Sequence, residues 1–417
     1  MSSLTPTQDR PVTTDATTRS TPLPSAFWGL WAGTVINRTG AMVQPFLAVY
    51  LVSAQGFSVS QVGVVMSAFG LGSLGSQAIA GWLADRIGRR TTLVGGMLAT
   101  SVTMLALGAV SSPPAVAGCA ALLGLTIDSY RPASQAIVAD LVPRRDRPRA
   151  YGVLSWGMNL GYSFAMVGGG WFAQHGPRMM FGVNAAVAVG FAVLVWRCVP
   201  ETRTTRHTSE GAIGVALRDR LLLAMCAVTF TYGLVYAQVF TTLPLAMSRE
   251  GISRAPFGLA MALNGALIVA LQPFAARWTR RQSPGRALAV GTAVLSAGFA
   301  ATALVHDARG LAATVAVWTS GEILAAGAGQ TIVSNLATAD TQGTYAGLSG
   351  MSWGAGAALA PLFGTLLMPM GSIALWGGVA VIGMLSAAGG LATGAAAERH
   401  CVRRRTRADR LAIPRVR

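Results

Sequence analysis

Runs of about 20 apolar residues recur from Phe27 to Ala397, each long enough to cross a hydrocarbon core of ~30 Å as a helix. Backbone N–H and C=O groups find no water there, so a chain built from such runs is confined to a bundle of spanning helices. Composition agrees: 52% of the residues are apolar and 11% are charged, against about 25% charged in soluble domains. The runs read as twelve spans at 27–54, 60–84, 91–110, 115–142, 151–174, 178–198, 221–247, 256–278, 287–305, 311–339, 345–368 and 373–397. The expected class is an all-α membrane protein.

Charge fixes the expected orientation. Residues 1–25 are rich in Ser, Thr and Pro and read as a disordered cytosolic tail. Residues 200–220 form the longest loop, and residues 398–417 form a basic cytosolic tail. Of the 32 basic residues, all Arg, 26 fall on the side of the two termini, and only Arg178, Arg249, Arg254 and Arg309 lie in loops on the other. Positive loops stay inside, so both termini are expected in the cytoplasm of a multi-pass protein of the inner (plasma) membrane. The net charge of +17 then belongs to topology, not to nucleic-acid binding. The arginines between 403 and 407 suit anionic lipid headgroups.

Several chemistries are excluded or disfavoured. With no Lys in the chain, a GxxxxGK[ST] phosphate loop cannot exist. Any energy-driven work would have to draw on a gradient or a partner. The 4 Cys and 4 His show no CxxC or HExxH spacing, so no metal or cofactor is expected.

An internal repeat organises the whole chain. At an offset of 195 residues, Ser53-Ala54-Gln55-Gly56-Phe57-Ser58 overlays Ser248-Arg249-Glu250-Gly251-Ile252-Ser253. Gly63 then meets Gly258, Met66 meets Met261, Gly70 meets Gly265, Gln77 meets Gln272, and Gln135 meets Gln330. The near-constant offset predicts two six-helix halves, 26–199 and 221–397, related by an axis along the membrane normal. Pro45 and Pro244 fall at matching places in spans 1 and 7 and are expected to kink both.

Charges within spans are functional candidates. Four lie well inside: Arg38 in span 1, Asp128 and Arg131 in span 4, and Glu322 in span 10. Asp128, Arg131 and Gln135 stand at i, i+3 and i+7, one helix face. That face reads either as a proton-exchanging stripe on a wet cavity or as a self-satisfied pair. Glu322 has no basic residue within four positions and reads as a proton carrier, as a carboxyl hydrogen-bonded inside the bundle, or as a partner of Arg38 across a cavity. Asn37 and Gln44 in span 1, Gln135 in span 4, Tyr232, Tyr236 and Gln238 in span 7, and Gln330 in span 10 read either as lining a substrate cavity or as ordinary interhelical packing.

A short loop carries a resemblance. Gly81-Trp82-Leu83-Ala84-Asp85-Arg86-Ile87-Gly88-Arg89-Arg90-Thr91-Thr92-Leu93 resembles the signature between spans 2 and 3 of the major facilitator superfamily. The stretch from Asp128 to Gly152, with Arg131-Pro132-Ala133 and Ala139-Asp140-Leu141, and Gly321-Glu322-Ile323 in span 10 are similar to its drug:proton antiporter branch. One departure is plain: Asn159-Leu160-Gly161 and Gly168-Gly169 match that branch's span-5 motif, but Phe164-Ala165 stands where it has Gly-Pro. The resemblance implies a central cavity lined by spans 1, 4, 7 and 10. It also implies a conformational switch in the loop: Gly81 close to span 11, Asp85 facing the positive end of span 11, and Arg86, Arg89 or Arg90 paired with Asp140. Topology needs only the arginines, so Asp85, Gly81 and Gly88 require that further explanation.

The expected function is secondary active transport by alternating access. The partners are a small, partly apolar organic compound and protons, and the protein acts as a monomer in the bilayer, exporting one against the other. The alternatives are a uniporter or proton symporter of a polar solute, and a receptor or scaffold without flux.

Overall fold

The computed structural model describes residues 22–127, 130, 134, 137–138, 141–143, 146–201, 212–279, 281–338 and 341–412. Among these residues all regular structure is helical, and ten helices are long and apolar enough to cross a membrane. The shorter apolar helix Pro113–Ile127 begins span 4, and the 29-residue helix Arg147–His175 occupies span 5. Each expected span therefore holds a helix. The helix of span 12, Ser372–Ala412, runs on into the basic tail.

Spans 1 and 7 are broken where their prolines dictate. Span 1 is Ser25–Thr39 followed by Val43–Gln55; span 7 is Arg220–Tyr236, a 3₁₀ turn Ala237–Phe240, and Thr242–Arg249. Pro45 and Pro244 each stand in the first turn after the break. A proline has no N–H and its ring crowds the carbonyl four residues earlier, which here is Ala41 or Phe240. Side chains satisfy part of what is freed. Asn184 of span 6 donates to the Gly40 carbonyl. Gln238 donates at 3.1 Å to both Leu234 O and Ala360 O, the latter on span 11. Span 10 breaks differently, between Ala308–Ala325 and Ala328–Leu336, at Gly327 with φ +75°.

The repeat is visible as packing. Spans 2 and 4, 3 and 6, 1 and 5, and 1 and 6 pack in the first half; 8 and 10, 9 and 12, 7 and 11, and 7 and 12 pack in the second. Adding six to each number converts one set into the other, as parallel repeats require. Spans 2 and 11, and 5 and 8, join the halves. Small residues let these backbones approach. A Cβ on Gly70 would lie 2.5 Å from Ala358 Cα, and one on Gly63 would strike Thr365; on Gly265 it would strike Ser163, and on Gly258 it would lie 3.1 Å from Gly170 Cα. The same 195-residue offset maps Gly63 and Thr365 onto Gly258 and Gly170, and Gly70 and Ala358 onto Gly265 and Ser163. The two seams are copies of one contact.

The buried side chains divide by depth. At the end away from the termini, one apolar cluster runs through both halves and includes Phe46, Phe57, Phe181, Phe257, Met261 and Trp376. Phe46 meets Phe257 edge-on across the seam, with ring centroids 5.6 Å apart. Arg254 of span 8 donates to Ala173 O of span 5 and Ser53 Oγ of span 1. At the terminal end the clusters are separate. One, with Phe27, Leu93, Tyr130 and Phe191, belongs to the first half; the other, with Leu222, Leu288, Ile332 and Tyr345, belongs to the second. Among the described residues the halves thus share a core at the far end and have separate cores at the terminal end.

Candidate functional site

A cavity of about 290 Å³ lies between the halves. Asn37, Arg38 and Gln44 line it from span 1, and Tyr236 and Glu322 from spans 7 and 10, as the sequence led us to expect. Spans 5, 8 and 11 contribute too, through Asn159 and Tyr162, Asn264, and Trp353. Asn264 carries no charge to mark it in the sequence; an amide in a largely apolar span was the available signal. Asn159 was visible only as part of the span-5 motif.

Glu322 is held by its own half. Tyr236 Oη donates to its Oε1 at 3.0 Å and Asn264 Nδ2 donates to its Oε2 at 2.9 Å. Asn264 Nδ2 also reaches Thr319 Oγ1 at 3.0 Å. Tyr232 does not line the cavity; it stacks behind Tyr236, with centroids 6.2 Å apart and planes 8° off parallel. Arg38, on the first half, makes no ion pair with Glu322, and its buried Nε has no hydrogen-bond partner. Its guanidinium carbon lies 5.8 Å from the Tyr162 ring centroid. The cross-cavity pair considered from sequence is therefore absent in this conformation. A charged donor and an already satisfied carboxyl sit on opposite walls.

Besides Tyr232, two expected lining residues lie elsewhere. Gln238 is fully buried between spans 7 and 11, where Thr242 donates to its side chain; the freed backbone at the span-7 break claims it. Gln330 is exposed on Ala328–Leu336, beyond the Gly327 turn, and is not part of the lining. Asp128, Arg131, Gln135 and Asp140 lie outside the described residues, although Ile127 and Tyr130 beside them line the cavity.

In the charged loop between spans 2 and 3, the surroundings of Gly81 and Asp85 lie outside the described residues, but its second part is described. Gly81 and Asp85 fall near the end of the span-2 helix Val59–Ile87, with Arg86 in its last turn. Gly88 has φ +102°, a conformation for glycine, and a Cβ there would lie 2.5 Å from the Glu201 carboxyl carbon. Glu201, at the start of the inter-half loop, accepts from Arg90 N at 2.9 Å, Thr91 N at 3.0 Å and Thr91 Oγ1 at 2.8 Å. A carboxylate thus caps the first turn of Arg89–Ala109, where the helix dipole favours it. The Arg90 guanidinium carbon lies 4.5 Å from the Trp196 ring centroid, and its Nη1 donates to Val199 O at 3.4 Å. Arg90 thus packs against the end of span 6, Arg89 is buried at 6% exposure, and the expected partner Asp140 lies outside the described residues. The described contacts of Gly88 are with Glu201, which the turn must admit.

The profile of the Major Facilitator Superfamily matches residues 30–361. The chain belongs to this superfamily. As a member it is a multi-pass membrane transporter and not an enzyme. It is 25% identical over 341 residues to the uncharacterized MFS-type transporter YqjV of Bacillus subtilis (strain 168), covering 78% of this chain and 82% of that relative. It is also 25% identical over 321 residues to the multidrug resistance protein MdtH of Cronobacter sakazakii, covering 76% and 80%. Among solved structures it resembles a peptide transporter POT in complex with alafosfalin, at TM-score 0.77 and 17% identity, over 90% of this chain and 95% of that one. A POT family transporter in complex with 5-aminolevulinic acid gives TM-score 0.76 at 14% identity, over 90% and 97%. These likenesses show that this superfamily member shares the fold of transporters solved with small molecules bound.

Proposed function

We propose that this protein exports a small, partly apolar organic compound in exchange for protons, by alternating access, as a monomer in the inner membrane with both termini in the cytoplasm. The observation that carries the reading is the division of the core. One shared cluster lies at the far end, the described residues of the terminal end form two separate clusters, and a cavity holding Glu322 lies between. On the arginine distribution the terminal end is cytoplasmic, so the conformation is inward-open. Resemblance to multidrug resistance relatives supports export.

Glu322 is the proton carrier in this scheme. It is a cavity carboxyl whose hydrogen bonds come from neutral donors, Tyr236 and Asn264, so it can take up a proton without breaking an ion pair. In proteoliposomes, substrate addition to the wild type should move protons across the membrane. Glu322→Gln should abolish that movement while leaving substrate counterflow. Unchanged proton coupling in the variant removes Glu322 from the mechanism, and substrate flux with no proton movement in the wild type replaces the antiporter by a uniporter.

The loop at residues 81–93 acts as the conformational switch. Asp85 would meet the positive end of span 11 only when the terminal ends come together, stabilising the outward-open state by a few tenths to ~2 kcal/mol. Asp85→Asn should shift cysteine accessibility towards inward-open with expression intact. Collapsed expression with unaltered accessibility would make the loop merely topogenic.

A further inference from the structure

We infer that the cavity takes an organic anion, its carboxylate-type group held by Arg38 and its aromatic or apolar body lying against the ring-lined wall. The inference rests on the transport reading only in taking this cavity as the substrate site.

The asymmetry of the two cavity charges carries it. Each Glu322 oxygen already accepts a hydrogen bond, from Tyr236 and from Asn264, so its own half holds the carboxyl in place. Arg38 presents five N–H donors, and among the described residues it has no acidic partner; its buried Nε is unsatisfied. A buried donor without an acceptor is costly, and an anion arriving in the cavity that Arg38 lines would supply one. A guanidinium is suited to this task because its planar fork matches a carboxylate with two parallel hydrogen bonds.

The surroundings fix the rest of the ligand. Gly161 of span 5 seats the arginine: a Cβ there would lie 2.7 Å from Arg38 Cβ and 2.6 Å from Val35 O. Phe69, Tyr130, Phe240 and Trp353 supply flat apolar surface around the same space, and aromatic faces favour an aromatic body. A cavity of about 290 Å³ stands at the small end of ligand sites, roughly 300 Å³ and upwards, which points to a one- or two-ring acid and not to a bulky compound.

Three matched probes test this by isothermal titration calorimetry on the purified full chain: 1-naphthoate, the neutral 1-naphthamide and the cationic 1-naphthylmethylammonium. We expect naphthoate to bind at least about tenfold more tightly than the amide, the scale of one charge-assisted hydrogen bond, and the cation to bind least. Arg38→Met should erase the preference for the acid, Arg38→Lys should keep part of it, and Gly161→Ala should weaken it. Should Arg38→Met fail gel filtration as a monodisperse protein, the latter two variants carry the test. Equal affinity for acid and amide, tighter binding of the cation, no saturable naphthoate binding, or an unchanged preference in the Arg38 variants overturns the inference. Asp128→Asn tests the other acidic residue expected in the spans: a preference already present in the wild type and retained in the variant supports the ligand as counter-charge, and one that appears only on removing Asp128 overturns it. Because equilibrium binding needs no gradient, lost proton coupling with naphthoate preference intact sinks the antiport reading alone. Proton-driven flux of a cation without naphthoate binding sinks this inference alone.

Discussion

The two ends of the molecule are built from the same repeated helices yet hold together differently. At the far end the seam spans 5 and 8 and the seam spans 2 and 11 meet through glycines, a Phe46–Phe257 contact crosses between halves, and one apolar cluster is shared. At the terminal end each half closes on itself, around Tyr130 and Phe191 in one and Leu222 and Ile332 in the other. Closure therefore does not come from stronger intrinsic affinity of one set of helices. It depends on which end of a pair of crossing helices is in contact, so rocking the halves can trade one closed end for the other without unfolding either.

The sharpest way to break this comparison is to fill a far-end seam. Gly258→Leu places a side chain where Met166 O and Gly170 already lie; overpacking of this kind is worth about 1–3 kcal/mol. It should open the far end, read as increased labelling of cysteines introduced there, and cut transport at least about tenfold, since ~1.4 kcal/mol is a tenfold shift in population. Labelling that stays at the wild-type level would show that this seam does not hold the far end shut.

A smaller effect is expected from Arg254→Ala, which removes donors to Ala173 O and Ser53 Oγ. Hydrogen bonds from a charged donor contribute about 1.5–3 kcal/mol at most here, less where water replaces them. The far end should label several-fold faster, with the purified protein still monodisperse. If the far end is unaffected while thermal stability falls, Arg254 holds span 8 in place and does not join the halves.

The mildest test concerns the terminal end. Glu201→Gln keeps one acceptor for the Arg90 and Thr91 amides but loses the charge facing the span-3 dipole; caps are worth ~1 kcal/mol. A drop of a few degrees in thermal unfolding with far-end labelling unchanged is the expected result. A change in far-end labelling would instead couple the inter-half loop to the switch.

How much of this was legible beforehand differs from residue to residue. Pro45 and Pro244 announced the breaks in spans 1 and 7 because a missing N–H acts locally. Arg38, Tyr236 and Glu322 announced a cavity because charge and polarity are conspicuous in apolar spans. Gln238 carried the same polarity and pointed the wrong way, since nothing in the sequence says that the backbone it helped to free would capture it. Gly88 and Glu201, 113 positions apart, gave no sign of belonging together.

Sequence alone determined that the chain spans the membrane as helices, that its halves repeat and where its arginines must lie, because hydrocarbon forbids unsatisfied backbone and penalises charge at every position independently. Tertiary structure alone decided which end is closed, that Arg38 is left without an acidic partner among the described residues while Glu322 is satisfied, and that Glu201 caps span 3. Each of these depends on the relative placement of helices distant in the chain, and the energies that set that placement are a few close contacts that no local pattern records.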